Sequence, residues 1–164
     1  MLLKAIEFIT LVLTALVTGV FWGTWFTLTR SLDTFSPAEF IHIGKTIIGN
    51  VGTPMSILMP ATLAAMLLAI FLAFRVRWTD ARNRELRPYL YIASFLLMIV
   101  TLVITLTVLV PIDGQIASWT PETIPSNYPE LRGTWDSYHT ARTFTSIASF
   151  AAFALGAVTG QARR

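Results

Sequence analysis

The chain alternates long apolar stretches with short polar ones. No Asp, Glu, Lys or Arg occurs from Phe8 to Thr29. Similar charge-free runs cover Thr46–Phe74, Pro88–Ile112 and Thr143–Ala162. A helix of about 20 apolar residues crosses a bilayer core about 30 Å thick, and each run is long enough to do so. The pattern therefore predicts an all-α bundle of four membrane-spanning helices, over about 3–29, 54–74, 86–110 and 133–159. The 164 residues form one integral membrane domain. A soluble bundle would give each helix a polar face, yet Leu63–Phe74 and Ala148–Val158 carry no charged side chain. The first run is longer than the apolar region of a signal peptide, about 7–15 residues, and no clear A-x-A site follows, so it reads as a retained span.

Local signals refine this map. Ser36-Pro37 places proline in a first helical turn, which predicts an extra helix over Ala38–Asn50 on the outer side. Gly49, Gly52 and Pro54 predict a break or kink before span 2, and Pro60 a second kink. Span 3 is expected to stop near Pro111. The outer loop 111–132 is rich in proline (Pro121, Pro125, Pro129) and has room for a short interfacial helix over Ile112–Trp119. Small residues spaced by four (Ala15, Gly19, Gly23; Ala148, Ala152, Gly156, Gly160) predict close helix packing within the bundle. A seam between copies in a homo-oligomer is the second reading of those stripes.

Composition supports the membrane reading. The chain is 54% hydrophobic and 13% charged, against about 25% charged in ordinary globular domains. Disorder needs the opposite balance. Cysteine is absent, which excludes disulfides, thiolate nucleophiles and Cys-ligated zinc or iron–sulfur centres. The net charge of +3 is a topology signal. Lys4, Arg75, Arg77, Arg82, Arg84, Arg87, Arg163 and Arg164 fall on one side, against Asp80 and Glu85. Arg30, Lys45 and Arg132 fall on the other, against Asp33, Glu39, Asp113, Glu122, Glu130 and Asp136. The positive-inside rule puts both termini and the 75–87 connector in the cytoplasm, in what is expected to be a bacterial inner membrane. Basic residues so placed suit anionic lipid headgroups, and nucleic acid is not an expected partner.

One constellation carries candidate chemistry. Trp135, His139, Arg142 and Ser146 recur at i, i+4, i+7 and i+11, one face of a helix. An ionisable group within a span is a functional candidate with a partner to be named. Asp113, Asp136 and Glu39 are the candidates on that side. Two readings stay open. The pair ties the outer loop down, or it binds an anionic or phenolic ligand, since Arg suits planar recognition and His titrates near neutrality. His42, with Lys45 at i+3, is the other histidine. No H-E-x-x-H or C-x-x-C-H spacing occurs, so neither metal nor haem is expected at His42 or His139. Ser94, Met98, Thr101 and Thr105 form a mild polar stripe on span 3, read as back-bonding or packing. No carboxylate lies mid-span, which argues against a proton-coupled transporter.

The stretch Val110-Pro111-Ile112-Asp113-Gly114-Gln115-Ile116, then Trp119-Thr120, then Trp135, His139, Arg142 and Thr143, resembles the anthrone-oxygenase-like family of small integral membrane proteins. Phe40-Ile41, Ile43-Gly44, Asn50 and Met59-Pro60 add to the resemblance, which covers nearly the whole chain. It implies a four-span bundle that oxidises anthrones to anthraquinones with dioxygen and no metal or flavin. It further implies His139 as base, Arg142 as stabiliser of an enolate or phenolate, and Asp113 as the group that orients them. Trp135, Trp25 and Trp22 would wall the pocket, with Gln115, Trp119, His42 and Asn50 as further substrate contacts. The rival class is a non-enzymatic membrane protein that binds a lipid or quinone, or packs on a partner. A small exporter is third.

Overall fold

The computed structural model describes residues 1–79 and 86–159, apart from the side chains of 32, 33, 78 and 79. The expected cytoplasmic charges Asp80, Arg82, Arg84, Glu85, Arg163 and Arg164, and the small residue Gly160, lie outside the described residues.

The described residues form five α-helices. Helix α1 spans Leu2–Gly23 and runs on through a π-helical turn, Thr24–Leu28, into a 3-10 turn, Thr29–Thr34. Helix α2 spans Pro37–Thr79. Helix α3, Arg87–Ile104, continues through a second π-helical turn, Thr105–Leu109, into α4, Val110–Ser118. Helix α5 spans Tyr128–Thr159. Four segments are long and apolar enough to cross a membrane: Leu2–Ser31, Pro37–Arg77, Arg87–Ser118 and Tyr128–Thr159. They pack as a ring in the order α1, α2, α3, α5, with α3 against α5 and α5 closing on α1; α4 lies against α2.

The start of α2 is set by a capping box. Ser36 donates from its backbone N and its Oγ to Glu39 Oε2 at 2.8 and 2.7 Å, and Glu39 N donates back to Ser36 Oγ at 3.4 Å. The helix expected at 38–50 is present, but the break after it is not. Helix α2 passes through Gly49, Gly52, Pro54 and Pro60 as one 43-residue helix. A proline removes one backbone donor and clashes with the preceding turn, and packing against α1 and α3 overrides that local cost. Span 3 likewise does not end at Pro111. The helix runs on through it, with the π-helical turn Thr105–Leu109 just ahead and Pro111 in the first turn of α4. Helix α5 begins at Tyr128, ahead of the expected start at 133.

The bundle is apolar outside and keeps many hydroxyl side chains within. Phe8, Val12, Leu16, Leu67, Phe71, Leu96, Val103 and Leu155 are exposed. Thr10, Thr14, Thr62, Ser94, Thr101, Thr143, Ser146 and Ser149 are fully buried. Water would invert that order; lipid permits it. The buried hydroxyls satisfy themselves on backbone carbonyls and on one another. Ser94 Oγ donates to Ser149 O at 2.7 Å and Ser149 Oγ to Ser94 O at 2.8 Å, a reciprocal clasp between α3 and α5. Thr101 both back-bonds to Leu97 O and meets Thr145 at 2.9 Å, so the polar stripe on span 3 serves packing as expected.

Of the two small-residue stripes, the one on α5 packs closely inside the bundle at Gly156, while its Ala148 is exposed. A Cβ on Gly156 would stand 2.7 Å from Tyr91 Cε1, so glycine lets the Tyr91 ring lie on α5. Ala15 and Gly19 are exposed, and Gly19 and Gly23 have open space where a Cβ would be. The close packing expected of that stripe is not made within the bundle, because α1 turns Thr14, Val17, Thr18 and Phe21 inward instead.

Candidate functional site

Helix α5 turns Trp135, His139, Arg142, Thr143 and Ser146 into the bundle. His139 is 4% and Arg142 8% exposed. Arg142 Nη2 contacts His139 Nδ1 at 2.9 Å, one helical turn apart. Under the guanidinium lies Phe21 of α1, its ring centroid 4.2 Å from Arg142 Cζ, a cation–π contact in a buried setting. Thr143 Oγ1 donates to Phe21 O at 3.3 Å and to His139 O at 2.8 Å, which fixes α5 on α1 beside the pair.

Asp113 reaches the cluster from α4. Trp135 Nε1 donates to Asp113 Oδ1 at 2.8 Å, and the Trp135 ring packs on the His139 imidazole with centroids 3.8 Å apart. Asp113 lies within electrostatic reach of Arg142. Phe40, at the start of α2, meets Trp135 and Tyr128 edge to face at 5.8 and 5.6 Å, and Trp119 meets Tyr128 at 6.1 Å. With Leu28, Ile41, Leu109, Ile112 and Ile116 these rings form an apolar cap over the polar pair. Gly44 has Ile116 Cγ2 3.3 Å from where its Cβ would be, so α4 sits close on α2 at the cap.

Three buried polar atoms here make no hydrogen bond: His139 Nε2 and Arg142 Nε in the pair, and Tyr128 Oη in the cap. Buried polar groups are nearly always satisfied, and an orphan calls for an explanation such as a bound group. No group of three or more His, Asp or Glu is placed to hold a metal among the described residues.

The residues named from the sequence divide into two sets. His139, Arg142, Asp113 and Trp135 come together, and Trp119 joins the cap. Trp25 stands one layer out: its Nε1 donates to Thr140 Oγ1 at 2.9 Å, and its ring meets Phe144. Trp22 is 41% exposed and stacks on Phe26, so it does not wall the cluster; the inward aromatic of that turn is Phe21. His42, Asn50 and Gln115 are exposed and are not brought to the pair. Each is off the inward face: Ile41 and Gly44 of α2, and Ile112 and Ile116 of α4, take the buried positions.

A second buried polar group lies apart from this cluster. Arg87 Nη1 donates to Glu7 Oε1 at 3.2 Å, and Tyr91 Oη donates to the same oxygen at 2.7 Å. Both charged side chains are 4% exposed. The sequence reading missed this network. Its signal is the spacing Glu7, Thr10, Thr14, Thr18, which is one polar stripe on α1.

The two π-helical turns adjoin the cluster in sequence, one just after Phe21 and one just before Asp113. Such turns are rare and recur at functional sites.

Compared with known sequences, residues 50–152 match the model of the anthrone oxygenase family. No curated protein and no solved structure gives a significant match.

Proposed function

This chain belongs to the anthrone oxygenase family, and from that premise we propose that it is a membrane-embedded oxygenase for a hydrophobic aromatic compound of anthrone or polyphenol type. The observation that carries the reading is the pair of orphaned buried atoms, His139 Nε2 and Arg142 Nε, under an aromatic cap. Anthrone oxidation needs little else from a protein. Loss of a ring C–H proton gives an electron-rich enolate, which itself reduces dioxygen. One oxygen atom enters the ring carbon as the new carbonyl, and the other leaves as water. The protein supplies a proton acceptor, a partner for the oxyanion and a dry cavity. Arg142 supplies fixed positive charge, and Asp113 is the carboxylate of the cluster.

The site lies toward the outer leaflet in this reading, with both termini and the 75–87 connector cytoplasmic, as the basic residues favour. Substrate would reach it from the lipid. Neither metal nor flavin is part of the proposal.

The test is dioxygen uptake by purified protein in detergent with an anthrone as substrate. Arg142→Ala should lower kcat/KM by roughly a hundredfold or more, the scale of losing an oxyanion partner. If the wild type consumes no more oxygen than a protein-free control, the oxygenase reading fails; if Arg142→Ala consumes it as fast as the wild type, Arg142 is not the oxyanion partner. Ligand binding without oxygen uptake would favour the quinone- or lipid-binding alternative.

A further inference from the structure

The polarity of the His139–Arg142 pair follows from counting donors. A guanidinium has five N–H donors and no lone pair to offer. The 2.9 Å contact between Arg142 Nη2 and His139 Nδ1 is therefore donated by Arg142. Nδ1 accepts it and carries no hydrogen. A neutral imidazole with a bare Nδ1 carries its hydrogen on Nε2. The imidazolium is disfavoured, because its Nδ1–H would oppose the Arg142 N–H and add a second buried positive charge.

Both orphaned atoms of the pair are then donors, His139 Nε2–H and Arg142 Nε–H. Their surroundings are flat and aromatic: Phe21 under the guanidinium, Trp135 on the imidazole and Phe40 on Trp135. Such a pair calls for lone pairs, which ligand oxygens supply, and the charge on Arg142 favours a negative oxygen over a neutral one.

We infer that His139 and Arg142 form a donor-only cradle, one donor each, for separate oxygens of a planar aromatic ligand, quinone carbonyls or phenolate or enolate oxygens. His139 thus gives a hydrogen bond to the ligand and is not the base that the family resemblance implies. The inference rests on the oxygenase reading for its reaction but not for its binding. In the reaction, the substrate C–H proton passes to the Asp113 carboxylate. The electron pair of that bond stays on the substrate as the enolate, whose oxygen Arg142 holds.

The experiment uses full-length protein in detergent, labelled with 15N-histidine in a His42→Gln background that leaves one histidine. Nε2 should show the protonated, pyrrole-type resonance with coupling to hydrogen, and Nδ1 the bare, pyridine-type one. Binding is read with a dihydroxyanthraquinone against anthracene, its oxygen-free counterpart. His139→Ala should weaken the dihydroxyanthraquinone by roughly tenfold to a hundredfold, the scale of a lost buried hydrogen bond to a charged partner. His139→Gln keeps an N–H donor but has no basic nitrogen. It should retain binding within about threefold, and oxygen uptake well above His139→Ala. The reverse tautomer, an imidazolium, equal binding of anthracene, or His139→Gln as inactive in oxygen uptake as His139→Ala would each overturn the inference. An Nε2–H resonance and a preference for the oxygen-bearing ligand, in a protein that consumes no dioxygen, would support the cradle and sink the oxygenase reading alone.

Discussion

Trp135 hands its indole hydrogen to Asp113 across 2.8 Å, and this bond ties α4 to α5 at the site. The carboxylate holds the indole, and the indole face holds the imidazole. Asp113→Asn keeps an acceptor for Trp135 but removes the charge. It should leave thermal stability nearly unchanged and cut oxygen uptake at least tenfold, on the scale of losing a general base. Trp135→Phe should lower stability by about 1–2 kcal/mol through the lost hydrogen bond, read as thermal unfolding in detergent. Full oxygen uptake by Asp113→Asn would remove Asp113 from the chemistry.

Glu7 and Arg87 are buried together, away from the His139 cluster. Glu7→Ala removes the carboxylate oxygen that Arg87 Nη1 and Tyr91 Oη share. Glu7→Ala should cost about 3–5 kcal/mol, measured by denaturation in mixed detergent micelles. A double Glu7→Met, Arg87→Met variant should recover most of that loss, since both buried charges are gone. A double variant as unstable as the single one would mean that the pair does more than neutralise itself.

Gly156→Ala should fail by steric contact. The new Cβ would stand 2.7 Å from a Tyr91 ring that is stacked on Phe153 at 4.2 Å and anchored through its hydroxyl to Glu7. That ring has nowhere to move. The expected cost is about 1–3 kcal/mol, again by thermal unfolding. Gly19→Ala meets open space and should cost less than about 0.5 kcal/mol as an exposed substitution. Equal losses at the two positions would contradict the packing described for α3 and α5.

His42, Asn50 and Gln115 stand exposed, away from the buried pair. Alanine at each should change oxygen uptake less than twofold and stability within about 0.5 kcal/mol. A large loss of uptake at any one of them would place substrate on the outer face of α2 or α4. The oxygen-uptake assay reads all three.

The charge-free runs made the four spans legible, because a bilayer admits few charges and the gaps between them are unmistakable. The 135–139–142 spacing made the inward face of α5 legible for the same reason: polar residues in a span need partners. Other features depend on partners distant in sequence. Glu7 meets Arg87 80 residues away, and nothing local names that partner. The exposure of Trp22, His42 and Gln115 turns on which side of each helix its neighbours cover. The unbroken course of α2 through Pro54 and Pro60 overrides two strong local stop signals by packing. The role of His139 needed the position of one Arg142 nitrogen, which spacing alone does not give.

The two π-helical turns also act as phase shifters. Each takes up one residue more than an α-turn would, so every side chain beyond it is rotated by about 100° from where an unbroken α-helix would put it. In the helix that carries Asp113, the Thr105–Leu109 turn supplies that rotation. Without it, the carboxylate would point away from Trp135. The alignment of this site is thus written in residue number as much as in residue type. A one-residue deletion in Thr105–Leu109 would leave every named side chain present and the constellation taken apart.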